Sequence, residues 1–175
     1  MSTFEQFDLQ QTWPRPANPK PIVLLGAGGI VRDAHLPAYK KAGFSVRGIF
    51  DPDTNKSQEV ARDWDIETVY ENLDNLIDAC GTDVVYDLAT PPSAIEGILA
   101  KLPMGAAVLI QKPMGTNLVD AKHIRSLASE RDLKAAVNFQ LRFSPMALAA
   151  ADLIKKGHLG ELLEIDVLVN IFTPW

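Results

Sequence analysis

Cysteine is nearly absent from this chain: Cys80 is alone among 175 residues, so no disulfide can form within it. A reducing, cytoplasmic setting is therefore the default expectation. Histidine is scarce too, with only His35, His123 and His158, and their scatter leaves no metal-ligand spacing. There is no excess of basic residues. The 17 Lys and Arg face 22 Asp and Glu, a formal charge of −5, which offers no field to hold nucleic acid or an anionic membrane. Long apolar runs are missing as well. Val84, Val85 and Tyr86 are flanked by charges, and nothing approaches the roughly 20 residues a bilayer span needs. The polar, slightly acidic start (MSTFEQFDLQ) does not read as a secretory signal.

What is present is an ordinary globular composition, 47% apolar and 22% charged, at a length that suits one domain and a remnant of another. Residues 1–20 read as an arm. Phe4, Phe7, Leu9 and Trp13 are too loosely spaced for one helix, and Pro14, Pro16, Pro19 and Pro21 force extended backbone. Such an arm is either a partly ordered tail or a strap laid on a partner subunit.

From residue 21 apolar runs alternate with helical periodicity. Strands are predicted at 22–25, 44–50, 68–70, 83–89, 106–110 and 134–139. Helices are predicted at 29–42, from 53 or 54 to 64, and at 72–80, 93–102 and 117–131. This alternation implies right-handed crossovers and a doubly wound α/β domain with a parallel sheet, a Rossmann sheet, over residues 21–139. Residues 140–175 read as the beginning of an incomplete second α/β domain. A helix at 145–156 starts on Pro145, and one long strand is expected at 161–172. A lone strand cannot bury its face. Either a second domain is begun and not finished, or a partner chain supplies the sheet.

Four features converge on one edge of the predicted sheet. Gly26-Ala27-Gly28-Gly29-Ile30-Val31 follows the first strand and opens the first helix. Gly26 permits a tight turn and Gly28 allows close approach of a pyrophosphate. The helix start at Gly29 and Ile30 offers unpaired N–H groups to that anion. The alternative is a purely structural turn. Asp51 ends the second strand, where a carboxylate accepts from ribose hydroxyls and repels a 2′-phosphate, favouring NAD over NADP. Otherwise Asp51-Pro52-Asp53 is only a turn and helix cap. Thr90-Pro91-Pro92 stiffens the crossover after the fourth strand, as ligand wall or merely as a rigid loop. Lys112, in Gln111-Lys112-Pro113, follows the fifth strand, facing the nicotinamide end or else solvent. Cys80 and the three histidines read as structural or solvated, and no metal site is expected.

In order, these pieces resemble the glucose–fructose oxidoreductase / inositol dehydrogenase (Gfo/Idh/MocA) family. The resemblance includes Arg32-Asp33-Ala34-His35-Leu36-Pro37 after the glycine turn and the run from Asn138 to Pro145, and it covers residues 20–170. It implies a Rossmann domain followed by an α/β domain with an open sheet. It also implies NAD(P)-dependent oxidation of a secondary alcohol, or reduction of a ketone, on a small-molecule sugar or cyclitol. Homo-oligomers are implied where the second domain is complete. Lys112 becomes the catalytic lysine that holds the reacting oxygen, with Gly26, Gly28, Gly29, Ile30, Asp51, Thr90, Pro91, Pro92, Gln111 and Lys112 around the cofactor. Two positions depart from the family pattern, Gln111 where Glu is usual and Ile95 where a His is frequent, and Val31 departs from the Gly or Ala usual at the third position of the glycine fingerprint. The family's usual proton-accepting histidine has no counterpart here. The 175-residue chain is expected to bind NAD and turn over no sugar by itself. A dinucleotide-sensing regulatory module built on the same fold is the other reading.

Overall fold

A computed structural model describes residues 7–170. Six parallel strands form one sheet in the order β3-β2-β1-β4-β5-β6. They are β1 (Ile22–Leu25), β2 (Val46–Phe50), β3 (Thr68–Val69), β4 (Val85–Leu88), β5 (Ala107–Gln111) and β6 (Lys134–Asn138). The order reverses between β1 and β4, and the crevice beyond the carboxyl ends of those two strands is where open α/β sheets take ligands. β1 lies at the centre, all four of its residues buried, as its unbroken apolar run requires.

The helices are α1 (Leu36–Ala42), α2 (Thr54–Asp63), α3 (Leu73–Cys80), α4 (Ile95–Lys101), α5 (Leu118–Glu130) and α6 (Pro145–Lys155). Two apolar layers flank the sheet. One joins Val23, Tyr86, Leu88, Val108 and Ile110 to Leu76 of α3, Ile95 and Leu99 of α4 and Ile124 of α5. The other joins Leu24 and Ile49 to Val31, Leu36 of α1 and Val60 of α2. Capping is local. Asn72 accepts from the Asn75 amide at 2.8 Å, and Asn117 accepts from the amides of Val119 and Asp120 at 2.8 and 3.0 Å.

The helix predicted at 29–42 is not uniform: Val31–His35 is a π-helical turn, closed by the Leu36 amide on the Val31 carbonyl. Pro37 has no N–H to offer the carbonyl of Asp33, so the ladder loosens there. The extra residue turns both His35 and Leu36 inward.

The chain divides into two compact units, residues 16–139 and a second made of 7–15 with 140–170. In the second unit the N-terminal segment lies on α6 and the loop before it. Phe7 meets His158 edge-on at 5.0 Å, Trp13 meets Phe143 at 5.3 Å, and the Gln10 amide donates to Asp152 at 3.0 Å. Phe4 of the expected arm lies outside the described residues. The strand expected at 161–172 is not there: residues 161–170 form no strand, and residues 171 and 172 lie outside the described residues. Alternation alone cannot make a strand without a neighbour to complete its ladder. Leu163, Val167 and Leu168 remain exposed.

All three tyrosines carry raised pKa values, chiefly through burial. Tyr70 and Tyr86 are pushed up to about 12, and Tyr39 further, helped by the neighbouring Asp87 carboxylate. The unfolded chain ionises its tyrosines at about pH 10 while the folded one holds the protons. Stability is therefore fully present below that pH and lost as pH rises toward about 12. Alkaline titration should show phenolate absorbance and loss of helical circular dichroism rising together; ionisation of a phenol in the still-folded chain near its ordinary pH would contradict this.

Candidate functional site

The turn after β1 is built around Gly26. Its φ is +114°, and a β-carbon there would stand 2.4 Å from the Ala89 carbonyl oxygen. Its amide donates to the Phe50 carbonyl at 2.7 Å, so the backbone has no room to retreat. Gly28 differs: a β-carbon there would meet nothing within 4 Å. No neighbour in the fold demands a glycine at 28, and the space beside it is open. The Gly28 carbonyl accepts from the amides of Val31 and Arg32 as the chain winds into the helix, whose first N–H groups have no intrahelical acceptor.

Asp51 stands just beyond β2. Its Oδ2 accepts from the Ala27 amide at 2.7 Å and its Oδ1 from the Asp53 amide at 2.8 Å. The carboxylate thus ties the glycine turn to the start of α2, and each oxygen keeps a second lone pair for a ligand hydroxyl. Asp53 sits at the N-cap of α2 without a side-chain capping bond.

Between these elements lies a cleft of about 650 Å³. Of the residues predicted from sequence, Gly26, Gly28, Ile30, Asp51, Thr90, Pro91 and Gln111 line it; Gly29, Pro92 and Lys112 do not. Gly29 is exposed at the helix start, Pro92 opens a short 3-10 turn, and exposed Lys112 follows the end of β5 in a cis peptide with Pro113. The hydroxyl of Thr90 is buried and has no hydrogen-bond partner among the described residues.

Several lining residues were not anticipated. Phe50, Pro52, Ala94 and Ile98 make an apolar wall beside Asp51, and Lys56 adds a cation there, 3.4 Å from Asp53. Lys56 was findable as the first lysine after the acidic turn; Ile98 was not, since it is the sheet order that brings it near. His35 is buried, and its Nδ1 lies 2.6 Å from Oδ2 of fully buried Asp87, which also accepts from the Tyr39 hydroxyl at 2.8 Å. Nε2 of Gln111 lies 3.4 Å from Nε2 of His35.

With a parallel sheet in this order and a glycine turn at its switch point, comparison with known proteins decides the family. Residues 20–139 match the oxidoreductase family with an NAD-binding Rossmann fold, Gfo/Idh/MocA. This chain belongs to that family. YceM of Salmonella typhimurium, an oxidoreductase by name, is 32% identical over 126 residues, 71% of this chain and 40% of its own length. A 1,5-anhydro-D-fructose reductase of Ensifer adhaerens is 25% identical over 86% of this chain and 45% of its own. Among solved structures, the KijD10 3-ketoreductase of Actinomadura kijaniata (Y186F mutant), in complex with TDP-benzene and NADP, superposes with a TM-score of 0.63. It is 25% identical, over 82% of this chain and 44% of that one. The chain therefore spans 40–45% of the length of each of these relatives. No described helix is long and apolar enough to cross a membrane.

Proposed function

We propose that this chain is the cofactor-binding portion of an NAD-dependent oxidoreductase acting on a secondary alcohol or ketone of a sugar or cyclitol. The observation that carries the reading is the pairing of an open cradle at Gly28 with a carboxylate at Asp51 in one cleft at the switch point of the sheet. The donor set suits a dinucleotide. Helix-start amides next to Gly28 take the pyrophosphate, the orphan Thr90 hydroxyl supplies a donor, and the wall of Phe50 and Ile98 suits an adenine. When bound, the nicotinamide ring supplies or accepts the hydride.

The remaining chemistry belongs to side chains. Asp51 grips the adenosine ribose and disfavours a 2′-phosphate by charge, which supports NAD even though the Actinomadura relative was solved with NADP. Lys112 sits where the chain leaves β5 at the same edge, and an ammonium beside a developing alkoxide stabilises it by charge. His35 is committed to Asp87, so a proton acceptor is proposed from a later part of the complete enzyme. The anhydrofructose reductase similarity supports a sugar-like substrate.

Calorimetric titration of the chain with NAD and NADP tests this. Binding of NAD is expected, with Asp51→Ala weakening it about 10- to 100-fold, the loss of a charge-assisted hydrogen bond, and narrowing the preference over NADP. No heat with either dinucleotide would overturn the reading.

A further inference from the structure

We propose that His35 is a positioning residue, fixing the Gln111–Lys112 edge of the cleft through a directed chain of hydrogen bonds anchored on Asp87. This deepens the reading above and rests on that edge receiving the nicotinamide half of the dinucleotide.

The direction of each bond follows from the chemistry of its ends. Asp87 lies on β4, flanked by β1 and β5, with no exposed surface. Its carboxylate only accepts, so the Tyr39 hydroxyl and Nδ1–H of His35 are the donors to Oδ2, at 2.8 and 2.6 Å. That tautomer leaves Nε2 of His35 as an acceptor. The group facing it, 3.4 Å away, is Nε2 of Gln111, an amide donor. The other end of the same carboxamide, Oε1, accepts the Lys112 backbone amide at 3.0 Å. One polarity runs through the whole chain, from the Lys112 amide by way of Gln111 and His35 to Asp87.

Two further observations support it. The link works only with an amide at 111: a glutamate has no hydrogen to give the imidazole acceptor. The departure at Gln111 and the buried Asp87 are thus complementary. The π-helical turn over Val31–His35 is what carries the imidazole inward to Asp87 at all, and such turns recur at functional sites. Gln111 also lines the cleft, so its orientation is presented to whatever binds there.

The test is equilibrium titration of the 175-residue chain with NADH and with ADP-ribose, which has the adenosine half but no nicotinamide. Two variants break the chain: Gln111→Leu, and the paired replacement His35→Leu with Asp87→Leu, which removes a buried charge together with its partner. Each is expected to weaken NADH about tenfold, the loss of an oriented polar contact, and to change ADP-ribose affinity less than about twofold. All three substitutions together should be no worse than either set, because both act through one link. Equal losses for both ligands, or losses that multiply, would overturn the positioning role while leaving the dinucleotide reading intact. Failure of the unmodified chain to bind either ligand would overturn both. Nitrogen chemical shifts of the His35 ring in the unmodified chain check the assignment independently. The Nδ1-protonated form is expected, and a proton on Nε2 would sink the proposal.

Discussion

Gly26→Ala is expected to lower the unfolding free energy by about 2–6 kcal/mol, combining strain at a positive φ with an overpacked contact. The atom met by the new methyl group is the backbone carbonyl of Ala89, 2.4 Å away, which has no rotamer to change. Retreat of residue 26 would break its 2.7 Å bond to Phe50, which joins the end of β1 to β2. Domains of this kind hold only about 5–15 kcal/mol in total, so the variant should unfold at markedly lower urea and lose NADH binding with the fold. Gly28→Ala makes the contrast. Its β-carbon meets nothing in the protein, so stability should be unchanged or rise by about 0.4–1 kcal/mol as the unfolded chain loses freedom. On the proposed reading, dinucleotide affinity should nevertheless fall, because the methyl group enters the space assigned to the pyrophosphate. An unchanged urea midpoint for the residue 26 variant would remove the strain account; unchanged NADH affinity at residue 28 would remove the cradle.

Features governed by neighbours in the chain were legible in the sequence. The apolar run at 22–25 ending in glycine reads as a strand buried on both faces, and the alternation after it implied the parallel sheet that the structure shows. Gly26 and Asp51 are readable for the same reason, since each sits at a fixed offset from a strand end. Distant partnerships left no local trace. Asp87 is one acid in an apolar strand, and its histidine lies 52 residues earlier. The π-helical turn that brings His35 to it follows from Pro37, but the periodicity of residues 29–42 fits an unbroken helix equally well. The expected strand at 161–172 is the opposite case. Its pattern is strand-like, yet pairing is not a property of one segment, and residues 161–170 stay unpaired.

Asp51 and Asp87 show how the same residue type divides its labour by place. Asp51 lies at the cleft, with backbone amides on both oxygens and lone pairs to spare, so it holds the turn together and keeps acceptor capacity toward the cleft. Asp87 has no exposure, and its Oδ1 has no hydrogen-bond partner among the described residues. An acid so placed is tolerated only through what Oδ2 receives from His35 and Tyr39. The position is internal to the sheet, and its effect on the cleft must pass through other side chains.

His35→Leu should therefore be strongly destabilising, costing about 3–5 kcal/mol, as when a buried charge loses its partner. Among the described residues the Asp87 carboxylate would keep only the Tyr39 hydroxyl, with no route to water from a strand flanked on both sides. The second substitution, Asp87→Leu, removes the charge that has lost its partner. The paired variant should recover most of the stability, since apolar residues of similar volume replace buried charges at little or no cost. Urea unfolding of the three proteins reads this directly: a deep loss for His35→Leu, and near restoration in the pair. Were the paired variant no more stable than His35→Leu, the damage would come from lost packing around the imidazole, and Asp87 would not be the charge that makes His35 necessary.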